Sequence, residues 1–220
     1  MESLSITQEY MVCAINGKGT ISSYNQKAVA CLIVSGLLEM QLSKCISISD
    51  KKISVCSELP EHMTYLEPLY NVINQGKPMK VEKAVEAYTV AFTNKKLYAL
   101  EDAVMESLKK ANAVEPVKSG LLGNKDSYAP KKDIVIGIIE KIRAELLEDG
   151  EISEDVIALT ALMEKAGNLK DYFSKYEQKE LKNKIEAIKK SDAGTFAKEM
   201  VQHIEALNMA AIIPSIITNI

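Results

Sequence analysis

The 220-residue sequence contains a single arginine, Arg143, and only two histidines, His62 and His203. A cluster of planar guanidinium forks, the usual clamp for a specific phosphate, therefore has nothing to be built from. Its four cysteines, Cys13, Cys31, Cys45 and Cys56, include no C-x-x-C pair, which disfavours a zinc site and a disulfide framework alike. They read as structural thiols, with Cys31 in an apolar run behaving as a small buried hydrophobe. No stretch reaches the roughly 18 uninterrupted apolar residues of a membrane-spanning helix. The apolar segment 206–220 is broken by Asn208, Pro214 and Asn219, and a buried closing helix or tail is expected there. MESLSITQEY has neither a basic n-region nor an apolar h-region, so the expectation is a cytoplasmic protein in a reducing compartment. No motif assembles a nucleophile, a base and an orienting group. No catalytic residue, metal or cofactor is expected, and the chain reads as non-enzymatic.

What is present is ordinary globular material. With 47% hydrophobic and 26% charged residues of both signs, the chain can bury a large core, and one domain over 1–220 is the expectation. A formal net charge of -3 argues against a surface matched throughout to nucleic acid.

The stretch 26–55 organises the rest. A helix expected over about 24–42, capped by Ser22 or Ser23, carries apolar residues almost all round, the mark of a central buried helix. Alternation from Cys45 to Ser49, a turn at Asp50-Lys51 and alternation back through Ile53 to Val55 predict a β-hairpin. Helix followed by hairpin has the outline of a winged helix. As a nucleic-acid-binding regulator it would have only Lys51 and Lys52 on its wing and an apolar helix for the groove.

Before this stretch, Ser5 or Thr7 caps a short helix that stops at Asn16-Gly17-Lys18-Gly19. The lysine sits before Gly19-Thr20 rather than in a Gly-Lys-Ser/Thr at a helix start, so a connector is favoured over a phosphate loop. After it, Pro60 opens a helix that Gly76-Lys77-Pro78 ends. Amphipathic segments follow at 79–93 and 97–111, the latter with Glu101, Asp102 and Glu106 placed on its outer side. Short strands at 114–117 and 125–128 flank a loop tipped by Leu121 and Leu122, suited either to contact or to closing a satellite core. Helices are expected over 134–147, from Ser153 to about 166, over 172–190 with Tyr176, Leu181, Ile185 and Ile188 on one face, and after Thr195. The fold class is thus mainly α, a compact multi-helix unit with one or two small β-hairpins.

Four pieces resemble the Golgi phosphoprotein 3 family: LSITQEY at 4–10, the stretch from Ala30-Cys31-Leu32-Ile33 into the hairpin, Tyr65-Leu66-Glu67-Pro68-Leu69, and Ala158-Leu159-Thr160-Ala161-Leu162 through Tyr172-Phe173. The resemblance implies a peripheral membrane, adaptor-like protein that recognises phosphatidylinositol 4-phosphate, its headgroup held by arginines and an aromatic beside apolar side chains entering the bilayer surface. Position by position, the family's aromatic falls near Thr20, one arginine near Val29, and an arginine pair at about Tyr98 and Glu101. A carboxylate at Glu101 would repel a phosphate. Lys18, Lys27, Lys95 and Lys96 remain as candidates for an anionic lipid surface without headgroup selectivity. The loop at 118–125, with Leu121 and Leu122, falls where the family's oligomer hairpin would be. A homo-oligomer through it and peripheral attachment to the cytoplasmic membrane face are what the resemblance implies, while the charge balance and the thin basic footprint argue against a nucleic-acid partner.

Overall fold

A reciprocal cap starts the chain's first helix: the Ser5 hydroxyl accepts the Gln8 N–H at 3.3 Å while the Gln8 side chain accepts the Ser5 N–H at 3.0 Å. This begins α1 (Ile6–Ala14) in a computed structural model that describes residues 3–16, 19–90, 93–119, 125–148, 152–190 and 204. The central helix α2 (Gln26–Leu42) begins later than its serines suggested. Ser22 instead accepts the Asn25 N–H through its carbonyl at 2.8 Å. That turn delivers the Asn25 side chain to cap Ala28 N–H at 3.2 Å. Thirteen of the seventeen residues of α2 are buried, and the helix packs against several neighbours at once, α1 among them.

The hairpin forms as expected. Strands β1 (Ile46–Ser49) and β2 (Lys52–Val55) pair antiparallel from Ile46↔Val55 to Ser49↔Lys52. Asp50 and Lys51 both take positive φ, +49° and +59°, the mirror-image turn whose twist suits a two-residue hairpin. A third strand, β3 (Met79–Lys80), extends the sheet from β2. The amphipathic segment expected from residue 79 therefore begins as strand, because Val81 N–H donates to the Lys51 carbonyl at 2.9 Å. Its helix, α4 (Val81–Thr89), starts only there.

Pro60 leads into a 3-10 turn (Glu61–Leu66) that continues as α3 (Glu67–Ile73), and α5 (Lys95–Lys110) packs against both. Strands β4 (Val114–Ser119) and β5 (Lys125–Pro130) form the second sheet. Their loop tip, with Leu121 and Leu122, lies outside the described residues. Helix α6 (Lys132–Ile142) widens into a π turn (Arg143–Leu147). The Ser153 hydroxyl caps α7 (Glu154–Ala166), and Gly167 at φ +82° ends it. Helix α8 (Lys175–Lys190) starts three residues after Tyr172, whose hydroxyl is engaged on the Cys13 carbonyl at 3.0 Å. Leu181 and Ile185 face inward, but Tyr176 is 74% exposed rather than on that face. The helix expected after Thr195 lies outside the described residues, apart from the buried Ile204.

The buried side chains form one cluster around α2 and α7. Among the described residues, eight α-helices and two small antiparallel sheets realise the mainly α expectation. No described helix is long and apolar enough to cross a membrane.

Gly36 marks the tightest packing on α2. A Cβ there would stand 2.8 Å from Leu69 Cδ2 and 3.2 Å from Leu66 Cδ2. Gly36→Val is expected to lower stability by about 1–3 kcal/mol through overpacking, read as a shift in the urea midpoint at unchanged slope.

Candidate functional site

Three helix ends meet on one side of the molecule. The N-terminus of α2 lies beside the C-terminus of α4, with Gln26 Nε2 reaching the Thr89 carbonyl at 3.5 Å, and α5 starts six residues after Thr89. The connector before α2 is fastened to the second turn of α5, where Glu101 Oε1 accepts the Ile21 N–H at 3.0 Å. Lys27, in the first turn of α2, is exposed, as are Lys95 and Lys96 in the first turn of α5. Lys18 lies outside the described residues.

Cations at a helix N-terminus oppose the helix dipole, which favours carboxylates there. Neither α2 nor α5 has an acidic residue in its first turn, and the Asn94 side chain makes no capping hydrogen bond at the start of α5. Both helices thus break the local charge rule at the same end of the fold. The outcome is positive potential from lysines and helix dipoles together, the arrangement that attracts anions.

Exposed apolar groups share this end. Of six large exposed hydrophobics among the described residues, three flank the lysines: Tyr24 at 96%, Val90 at 49% and Tyr98 at 50% exposed. Tyr24 was missed in the sequence because it read as the first residue of a helix. The signal available was an aromatic side chain inside the polar run Ser22-Ser23-Tyr24-Asn25, a run of turn and cap residues.

Glu101 requires a correction. Read as solvent-facing and hostile to phosphate, it is only 3% exposed and turned inward. Burial drives its carboxyl up to about 7, with the Ile21 N–H pulling the other way and Asp102 adding a smaller rise. Its Oε2 has no hydrogen-bond partner among the described residues. Val29 is likewise buried, at 1%. The positions where the resemblance sets arginines are therefore core and half-exposed ring here. Arg143, the single arginine, is occupied elsewhere by Glu140 at 2.7 Å, Glu177 at 2.8 Å and the Tyr172 carbonyl at 3.2 Å.

The opposite end of α2 and α5 carries a different surface, a cleft of about 1110 Å³. Glu39, Glu61, Glu106 and Asp155 line it, against Lys110. Inside it the Tyr65 hydroxyl donates to Glu39, whose other oxygen accepts the Thr7 N–H at 3.1 Å. The winged-helix outline gains no recognition helix from α2, thirteen of whose seventeen residues are buried. Among the described residues no group of three or more histidine, cysteine or acidic side chains is placed to hold a metal ion.

A family model described as Golgi phosphoprotein 3 (GPP34) matches residues 6–207. No curated protein matches the chain.

Because the folded state holds a proton on Glu101 up to about pH 7, it binds more protons than the unfolded chain between the ordinary carboxyl value of 4.5 and 7. Stability from this group is complete below that window and falls as pH rises through it. Glu101→Gln keeps the acceptor for Ile21 and removes the ionisation. It is expected to gain on the order of 1 kcal/mol at pH 8 and nothing at pH 4.5, measured by urea unfolding at both values.

Proposed function

The chain belongs to the Golgi phosphoprotein 3 family, and from that premise we propose that it is a non-catalytic, peripheral membrane module of the cytoplasm that reads anionic charge rather than one headgroup. The observation that carries this reading is the coincidence, at one end of the fold, of Lys27, Lys95 and Lys96 with the exposed Tyr24, Val90 and Tyr98. Lysines near an anionic bilayer each contribute about 1 kcal/mol, and their contribution decays within a Debye length. Aromatic rings suit the interface, where one edge is apolar and the other wet. With no guanidinium fork present, phosphatidylinositol 4-phosphate competes with other anionic lipids through charge alone.

Flotation with vesicles of defined composition tests this. Binding is expected on phosphatidylserine vesicles, absent on phosphatidylcholine alone, and weakened steeply by salt. Matching the surface charge with phosphatidylinositol 4-phosphate should change affinity by less than about threefold, under 0.7 kcal/mol. Reversing Lys27, Lys95 and Lys96 to glutamate should reduce binding at least tenfold, about 1.4 kcal/mol or more, with the fold intact by circular dichroism. Absence of binding to every anionic vesicle overturns the proposal.

A further inference from the structure

Cys45 and Cys56 stand opposite one another, one step beyond the last paired residues of β1 and β2. The register runs Ser49↔Lys52 to Ile46↔Val55, so the next opposed pair is Cys45 with Cys56. Hydrogen bonding continues to that step: Cys56 N–H donates to the Cys45 carbonyl at 2.8 Å, and Ser57 N–H shares it at 3.2 Å. Opposed residues of an antiparallel pair lie about 4.5–5.5 Å apart at Cα. That separation falls within the roughly 4.4–6.8 Å that a disulfide spans. Since the Cys45 thiol rests on the Met40 carbonyl and the Cys56 thiol on the Ser54 carbonyl, joining them takes a side-chain rotation.

The two thiols differ in access. Cys56 is exposed and Cys45 buried, its thiol turned to the Met40 carbonyl at 3.4 Å. That carbonyl also accepts the Cys45 N–H at 3.1 Å and the Ser43 hydroxyl at 2.9 Å, so losing the thiol donor leaves it satisfied. Cys13 and Cys31 are both buried in the core.

We propose that Cys45 and Cys56 form a reversible disulfide when the protein meets a low-molecular-weight disulfide. The Cys56 thiolate attacks that disulfide, forming a mixed disulfide and expelling one small thiolate. The Cys45 thiolate then attacks the Cys56 sulfur, breaking the mixed bond and expelling the second. The protein loses two electrons and two protons, and the oxidant becomes two thiols. Burial raises the Cys45 thiol above its ordinary value, so the second step quickens as pH rises.

The bond joins two walls of the acidic cleft. Leu42 and Ser43 line it just before Cys45, and Glu61 to Tyr65 line it after Cys56. Oxidation therefore staples the end of α2 to the segment entering the 3-10 turn, a transient redox constraint of the kind found in reducing compartments.

The test treats the full chain with oxidised glutathione, alkylates remaining thiols under denaturing conditions and maps the products by peptide mass spectrometry. Two of the four thiols are expected to become protected, in a Cys45–Cys56 cross-link reversed by dithiothreitol. Cys45→Ser should arrest at a glutathione adduct on Cys56, and the surface variant Cys56→Ser should leave Cys45 reduced. A stable glutathione adduct on Cys56 in the unmodified chain, four alkylated thiols, or a cross-link to Cys13 or Cys31 overturns the proposal.

Discussion

Burial of α2 on almost every side is the constraint from which the rest of the structure follows. A helix with thirteen of seventeen residues inside needs partners around its whole circumference, because each large apolar side chain left in water forfeits about 1.5–3 kcal/mol. Helices α1, α4 and α7 supply them, and Gly36 lets the 3-10 turn and α3 approach closely through Leu66 and Leu69. A helix enclosed in this way has only its two ends left to offer. The surfaces that distinguish this molecule accordingly gather at those ends rather than along a groove.

The ends are electrically opposite. At the N-termini of α2 and α5 the dipoles add to the charge of Lys27, Lys95 and Lys96. Toward their C-termini lies the cleft with its excess of carboxylates. Lys110, in the last turn of α5, complements the dipole there, yet the acids around it outnumber it. A net charge of -3 hides this separation, since it sums over a molecule whose two ends have opposite sign. An anionic surface meeting such a molecule attracts one end and repels the other, which orients it at encounter.

Much of this architecture was legible in the residues. Apolar spacing located the helices because burial is periodic, and Cys45 to Val55 announced the hairpin because strand faces alternate. Boundaries failed where a long-range bond took precedence over local propensity. Met79 and Lys80 look helical but pair with β2, and Ser22 yields the cap to Asn25 by making a turn of its own. Tyr176 matched the spacing of the buried face of α8 yet stayed in water, since spacing names a face and not how much of it a neighbour covers. Glu101 is the instructive failure at the site. Its charge marked it as solvated, and the group that draws it inward, the Ile21 N–H, lies eighty positions away.

That inward turn also shapes the region where the family resemblance sets its arginines. Val29 and Glu101 are both in the core, and the connector before α2 closes against α5. The single bond from Ile21 to Glu101 fastens that closure, and Tyr24, three residues further along the same connector, is left projecting into solvent. Burying Glu101 and exposing the ring are thus two results of one local arrangement. The exposed charge beside that connector is lysine, Lys27, Lys95 and Lys96, a strongly hydrated point charge without the planar fork of a guanidinium.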